Sequence, residues 1–228
     1  MASALRPLRL LLLGAPGSGK GTQTARLLKQ FPQIESVSSG DLLRQQIKAG
    51  TPLGQKASLY ISSGKLLSDE LITKLIITNL SNRKWMNSSA SWLLDGFPRT
   101  VKQAELLDAE LGRHSAQLNL VVQLDVPENV ILERIENRYV HVPSGRVYNL
   151  TYNPPRVPGK DDITGEPLTK RSDDTYEVFG KRLKEYRRTV TPLIDHYAKS
   201  GILEKVTGET SDIIFPQLVK LVSEKFGE

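Results

Sequence analysis

The readable pattern of the chain begins at Leu8 to Leu13, an apolar run interrupted only by Arg9 and without polar-apolar alternation. Unbroken apolar character of this kind belongs to a strand covered on both faces of a sheet, because one wetted face would impose a period of two. Shorter runs recur at Ile34 to Val37, Trp92 to Leu94, Leu118 to Leu124 and Ile202 to Val206. Between them lie stretches of helical periodicity, the first marked by Ala25, Leu27, Leu28 and Phe31. Strands that alternate with helices predict an α/β fold: a five-stranded parallel sheet flanked by crossover helices.

One stretch breaks the alternation. From Asn137 to Asp174 the chain carries Pro143, Pro154, Pro155, Pro158 and Pro167 together with Gly145, Gly159 and Gly165, and the β-favouring residues Val147, Tyr148 and Tyr152. Turn formers at that density predict a small β-rich insertion rather than a helix. The competing reading is a loop without regular structure, which at this length would have to be a functional lid.

Composition narrows the classes. A chain of 228 residues holds one well-packed domain with room for insertions. It contains no cysteine, which removes disulfides, thiol nucleophiles and thiolate metal sites together. Its longest uninterrupted apolar stretch, Leu10 to Leu13, is far short of the roughly 20 residues that span a bilayer, so no membrane insertion is expected. Arg9 and Gly14 also spoil a secretory signal. The net charge of +6 and pI near 9.4 point to polyanionic partners: nucleotides, nucleic acid or a membrane surface. Nucleic acid is disfavoured, since only 6% of residues are aromatic and none interleave with a basic stripe. No acidic residue precedes Glu35, whereas Arg6, Arg9, Lys20, Arg26 and Lys29 do. That asymmetry is compatible with mitochondrial matrix targeting and equally with a phosphate site.

The sharpest motif is Gly14-Ala15-Pro16-Gly17-Ser18-Gly19-Lys20-Gly21-Thr22, set directly after the first strand and before a helix. Glycines let successive backbone N–H groups turn inward, the helix N-terminus adds positive potential, and Lys20 neutralises outer phosphates. This is the cradle of a nucleoside triphosphate. Gly21 stands where the usual magnesium-binding hydroxyl would follow the lysine, and Thr22 comes one place later. Asp95 closes the run Trp92-Leu93-Leu94; a carboxylate there either holds Mg2+, directly or through water, or caps a turn.

No Ser-His-Asp or Cys-His arrangement offers covalent catalysis, and His114, His141 and His196 are scattered. Arginine is what the chain supplies: Arg44, Arg99, Arg134, Arg138, Arg171 and Arg182. Arg134 and Arg138, four apart after Val130 and Ile131, are expected on one helix face, and Arg182 at the edge of the stripe Phe179, Leu183, Tyr186, Val190. For each arginine taken alone a surface ion pair competes. Planar, bidentate donors suit a transferring phosphoryl group better than lysine.

The cradle, Ser38-Ser39-Gly40-Asp41-Leu42-Leu43-Arg44, Asp95-Gly96-Phe97-Pro98-Arg99 and the stretch Asn137 to Asp174 together resemble the adenylate kinase family in its long-lid form, nearest to its mitochondrial, GTP-using members. The resemblance covers almost the whole chain. It implies a single P-loop nucleoside monophosphate kinase core over 1–228 with an AMP-binding helical insertion at 38–67 and a lid at 137–174. It also implies AMP as acceptor, GTP or ATP as donor, Mg2+ as the ion, a monomer, and the mitochondrial matrix. By the same carry-over Gly17, Ser18, Gly19, Lys20, Gly21, Thr22 and Arg134 would hold the donor phosphates, and Val147, Tyr148 and Thr210 its base or ribose. Ser39, Arg44, Lys65, Leu66, Leu67, Gly96, Phe97, Pro98, Arg99 and Gln103 would bind AMP, with Gln103 reading adenine. Arg138, Arg171 and Arg182, the last two also on the AMP side, would converge with Lys20 on the transferring group. Some long-lid relatives carry zinc on four residues; here those positions are His141, Ser144, Asp161 and Thr164. Two hydroxyls make poor zinc ligands, so a hydrogen-bonded polar cluster and no structural zinc are expected. A regulatory GTPase would share the cradle but would need an Asn-Lys-x-Asp motif, which the chain lacks. An ATP-using adenylate kinase and a pyrimidine monophosphate kinase are the nearer alternatives.

Overall fold

The computed structural model describes residues 5–62, 67–170 and 176–227. In chain order the elements are β1 (Arg9–Gly14), α1 (Lys20–Gln30), β2 (Glu35–Ser38), α2 (Ser39–Lys48), α3 (Pro52–Ser62), α4 (Asp69–Asn82), β3 (Trp92–Asp95), α5 (Val101–Arg113), β4 (Leu120–Asp125), α6 (Glu128–Glu136), β5 (Arg138–His141), β6 (Arg146–Asn149), α7 (Tyr176–Lys199), β7 (Leu203–Thr207) and α8 (Ser211–Phe226). Each of the five apolar runs in the sequence is a strand, displaced by a residue or two at its ends, and all pair in parallel in the order β2-β3-β1-β4-β7.

Successive leucines of β1 explain why that strand reads as solid hydrophobe. Leu10 and Leu12 pack on one face with Leu27, Phe31, Phe179, Ile214 and Leu218, while Leu11 and Leu13 pack on the other with Ile72, Ile76, Leu107 and Leu193. Two cores, one per face, leave no wetted side and hence no alternation. Burying each such leucine contributes roughly 2 kcal/mol. α7 serves both cores, giving Phe179 and Leu183 to the first and Leu193 and Tyr197 to the second.

The sheet order puts β1 between β3 and β4, so the chain winds first to one side and then to the other. Crevices at such a switch point open at the carboxyl ends of the strands. Register aligns those ends: Leu12 lies opposite Asp95, Ser38 opposite Asp95, and Gly14 opposite Leu124.

Outside the sheet, 138–170 forms the antiparallel pair β5–β6 with further bridges at Val140–Thr169 and Lys160–Pro167. The helix face expected for both Arg134 and Arg138 does not survive. α6 stops at Glu136, Asn137 caps it and binds the Glu133 carbonyl through its side chain (3.2 Å), and Arg138 opens β5. A side-chain amide that competes for helix carbonyls ends the helix before the periodicity can reach Arg138.

Candidate active site

The glycine-rich loop after β1 turns back on itself through left-handed backbone at Gly17 (φ 84°) and Gly19 (φ 92°), conformations that a side chain would strain. Gly19 is the N-cap of α1, and no side chain caps that helix. Its first-turn N–H groups and dipole are left available to an anion. Lys20 folds over the loop and donates to the carbonyls of Gly14 (2.7 Å) and Ala15 (3.0 Å). Ser18 differs from its neighbours: its side chain is buried, and its hydroxyl has no partner among the described residues.

The loop floors a cleft of about 1220 Å³ that runs along the carboxyl ends of the strands. Gly17, Gly19, Lys20, Gly21 and Thr22 line it, as do Arg134, Val147, Tyr148 and Thr210. Arg134 bridges loop and helix by donating to the carbonyls of Gly17 (3.4 Å) and Glu209 (2.7 Å), and its guanidinium lies over the Tyr152 ring. Tyr152 lines the same cleft; the sequence marks it only as a β-favouring residue and not as a site residue, because an aromatic in a Pro-rich stretch is not a specific signal.

On the other side the cleft is lined by Ser39, Arg44, Leu67 and the turn Gly96 to Arg99, with Gln103 behind the turn. Ser39 donates to the Gly96 carbonyl (2.8 Å), to which Arg99 Nε also donates (2.6 Å). Arg44 pairs with Asp41 one turn earlier on α2. Gln103 is buried and held by three hydrogen bonds at the start of α5. Lys65, Leu66 and Arg171 lie outside the described residues.

Between the two halves sit Lys20, Asp95, Arg138 and Arg182. Burial pushes the Lys20 ammonium down to about 8; attraction to Asp95 opposes this, and repulsion from Arg99, Arg182 and Arg138 adds to it. Burial likewise pushes the Asp95 carboxyl up, against the pull of Lys20 and Arg99. Both members of the pair are thus under-compensated. A group bringing anionic oxygens to Lys20 and a cation to Asp95 would relieve both.

In the β-rich segment His141, Ser144, Asp161 and Thr164 do meet. His141 Nδ1 lies 2.7 Å from Ser144 Oγ, and Thr164 donates to Asp161 (3.0 Å). Sequence reasoning missed the residue that organises them: Arg146 grips both oxygens of Asp161 (2.7 and 2.6 Å) and also donates to His141 Nδ1 (3.3 Å). A guanidinium is only a donor, so His141 carries its proton on Nε2, where Glu166 accepts it. Tyr148 adds its hydroxyl to Asp161 (2.8 Å). The donor set does not fit zinc, because the cation facing Asp161 and His141 is Arg146 itself.

Residues 12–202 match the family model described as adenylate kinase. Two relatives from Saccharomyces cerevisiae, each named as a mitochondrial GTP:AMP phosphotransferase, are 70% and 71% identical; the matches span 98% and 92% of this chain and 95% and 94% of the relatives. A Drosophila melanogaster protein of the same name is 43% identical over 95% of this chain and 96% of its own. With the family model spanning most of the chain and relatives of 43–71% identity covering nearly all of it, the chain belongs to the adenylate kinase family.

Proposed function

We propose that this protein transfers the γ-phosphoryl group of GTP to AMP, reversibly, by direct in-line displacement. The observation that carries the reading is the gathering of Lys20, Arg99, Arg138 and Arg182 around one cleft between two nucleotide-sized halves. Such a transfer brings a tetra-anion against a di-anion. At ~4 Å and an effective dielectric of ~20 each charge pair is worth roughly 4 kcal/mol, so fixed guanidiniums can offset the repulsion and stabilise the transferring group. The AMP phosphate is already ionised at neutral pH, and no general base is required.

In this reading the cradle from Gly17 to Thr22, with Arg134, holds the donor phosphates, and Val147, Tyr148 and Thr210 border the base or ribose. Arg44 and Arg99 hold the AMP phosphate, and Ser39, Leu67 and Gln103 border its nucleoside, Gln103 reading the adenine. Lys65, Leu66 and Arg171 belong to the same proposal. The segments 38–67 and 137–174 act as the two arms that close over the nucleotides, excluding the water that would otherwise hydrolyse the triphosphate. Asp95 suits Mg2+, since one buried carboxylate leaves most of an octahedral shell to water and phosphate oxygens. Mg2+ bound there supplies charge neutralisation at the phosphates. GTP as donor and the mitochondrial matrix as location are supported by the names of the relatives and, for the latter, by the acid-free N-terminus. A monomer suffices, because both halves of the cleft belong to one chain.

The test is ADP formation from AMP with GTP, ITP or ATP in turn. GTP is expected to be the best donor; a preference for ATP would overturn the donor assignment, and failure with every triphosphate would overturn the function. Arg138→Ala is expected to lower kcat by roughly 10²- to 10³-fold with the fold intact. Near-normal turnover would remove Arg138 from the mechanism.

A further inference from the structure

We infer that Asp69 is a positioning residue that fixes the orientation of the Gln103 amide and thereby its choice of purine. The inference rests on Gln103 facing the base of AMP, as proposed above.

A glutamine amide can present its oxygen or its nitrogen to a ligand, and which it does depends on what else it binds. Here both ends are fixed by groups of one character. The Arg99 backbone N–H, which can only donate, is 2.7 Å from Gln103 Oε1. The Asp69 carboxylate, which when ionised can only accept, is 2.8 Å from Gln103 Nε2. Reversing the amide would set donor against donor at Arg99 and acceptor against acceptor at Asp69. Asp69 is itself fixed: Thr100 donates its hydroxyl hydrogen to the same Oδ1 (3.0 Å), while the Thr100 oxygen accepts from the Gln103 backbone N–H (3.1 Å) and caps α5. The carboxylate at the start of α4 is thus tied to the start of α5, 34 residues away.

These bonds use one amide hydrogen and one lone pair of Gln103, leaving one donor and one acceptor for the cleft it lines. Adenine offers the complement, an exocyclic N6–H and the unprotonated N1. Hypoxanthine and guanine offer the opposite, O6 and N1–H, and an amide that could flip would accept them equally well. A buried polar edge left mismatched is what gives hydrogen-bonding sites their discrimination. Asp69 does not touch the nucleotide in this account; it acts through Gln103.

The experiment compares AMP with IMP as acceptor, at saturating donor, in the wild type, Asp69→Ala, Asp69→Asn, Gln103→Ala and the double variant Asp69→Ala/Gln103→Ala. Asp69→Ala is expected to raise KM for AMP about tenfold and to cut the AMP-over-IMP preference by a similar factor, with KM for the donor unchanged. Asp69→Asn keeps an accepting oxygen and is expected to restore most of the preference. In the Gln103→Ala background the loss of Asp69 should cost nothing further. Equal losses for AMP and IMP, or the same penalty with and without Gln103, would overturn the proposal by making Asp69 structural. Should Asp69→Ala fail to fold, Asp69→Ser, whose oxygen is one bond shorter, reads the same ratio. A wild type that phosphorylates AMP selectively but is indifferent to Asp69 defeats only this inference; one that ignores AMP defeats the proposed function as well.

Discussion

At the scale of single residues, Lys20 carries the sharpest conflict in the cleft, a buried ammonium ringed by arginines. In the folded chain its ammonium is pushed down to about 8 by burial, and in the unfolded chain it sits near the ordinary value of 10.5. Folding therefore disfavours the charged form: below pH 8 the empty fold bears that cost, and the cost fades as pH rises toward the unfolded value. Under the proposed function this is stability given up to hold a charge where phosphates would meet it. Donor binding must reverse the shift, because a polyanion favours the ammonium. Affinity for a non-hydrolysable triphosphate should consequently weaken above about pH 8 by up to about tenfold per unit, with proton uptake visible in calorimetry. The dependence should vanish in Lys20→Met. If it persists there, another group is responsible.

At the scale of elements, the β5–β6 segment adds no residue to the two large cores among the described residues, and a buried ion pair sits at its centre. Arg146 holds the Asp161 carboxyl well below the usual carboxylate range, with the Thr164 N–H and the Tyr148 hydroxyl assisting against the opposing effect of burial. A depressed carboxylate contributes stability above its unfolded value and loses it as pH falls below about 4. Asp161→Asn removes the charge at constant shape and leaves Arg146 without its counter-ion, so the amides of β5 and β6 should exchange hydrogen faster at neutral pH than in the wild type. Those of β1 and β4 should not change. Uniform acceleration across the chain would mean the segment is not a separate cooperative unit. This ion pair was illegible in the sequence because Arg146 and Asp161 are 15 residues apart and either could have been a surface charge. The strands and the cradle were legible for the opposite reason: apolar runs and glycine spacing are local signals. Arg138 marks the boundary, since periodicity carries α6 one turn too far, past the cap at Asn137 where backbone and side chain both close on the Glu133 carbonyl.

At the scale of the whole molecule, Lys20, Arg138 and Arg182 line one cleft of about 1220 Å³. If the segments 38–67 and 137–174 close as proposed, closure has to be driven by a ligand that makes contacts only the closed form permits. Neither nucleotide alone bridges both halves; a dinucleoside polyphosphate does. At about 1,000 times its Kd such a ligand stabilises the fold by about 4 kcal/mol, which for a chain of this size raises Tm by about 8–15 °C. X-ray scattering should record a smaller radius of gyration at the same time, and AMP alone should produce neither effect in full. In Arg138→Ala the compaction should weaken together with the thermal shift, because the proposed mechanism has Arg138 meet the bridging phosphates when the arms close. Compaction that survives unchanged in that variant would mean the arm closes on other contacts, and that Arg138 serves the chemistry without serving the motion.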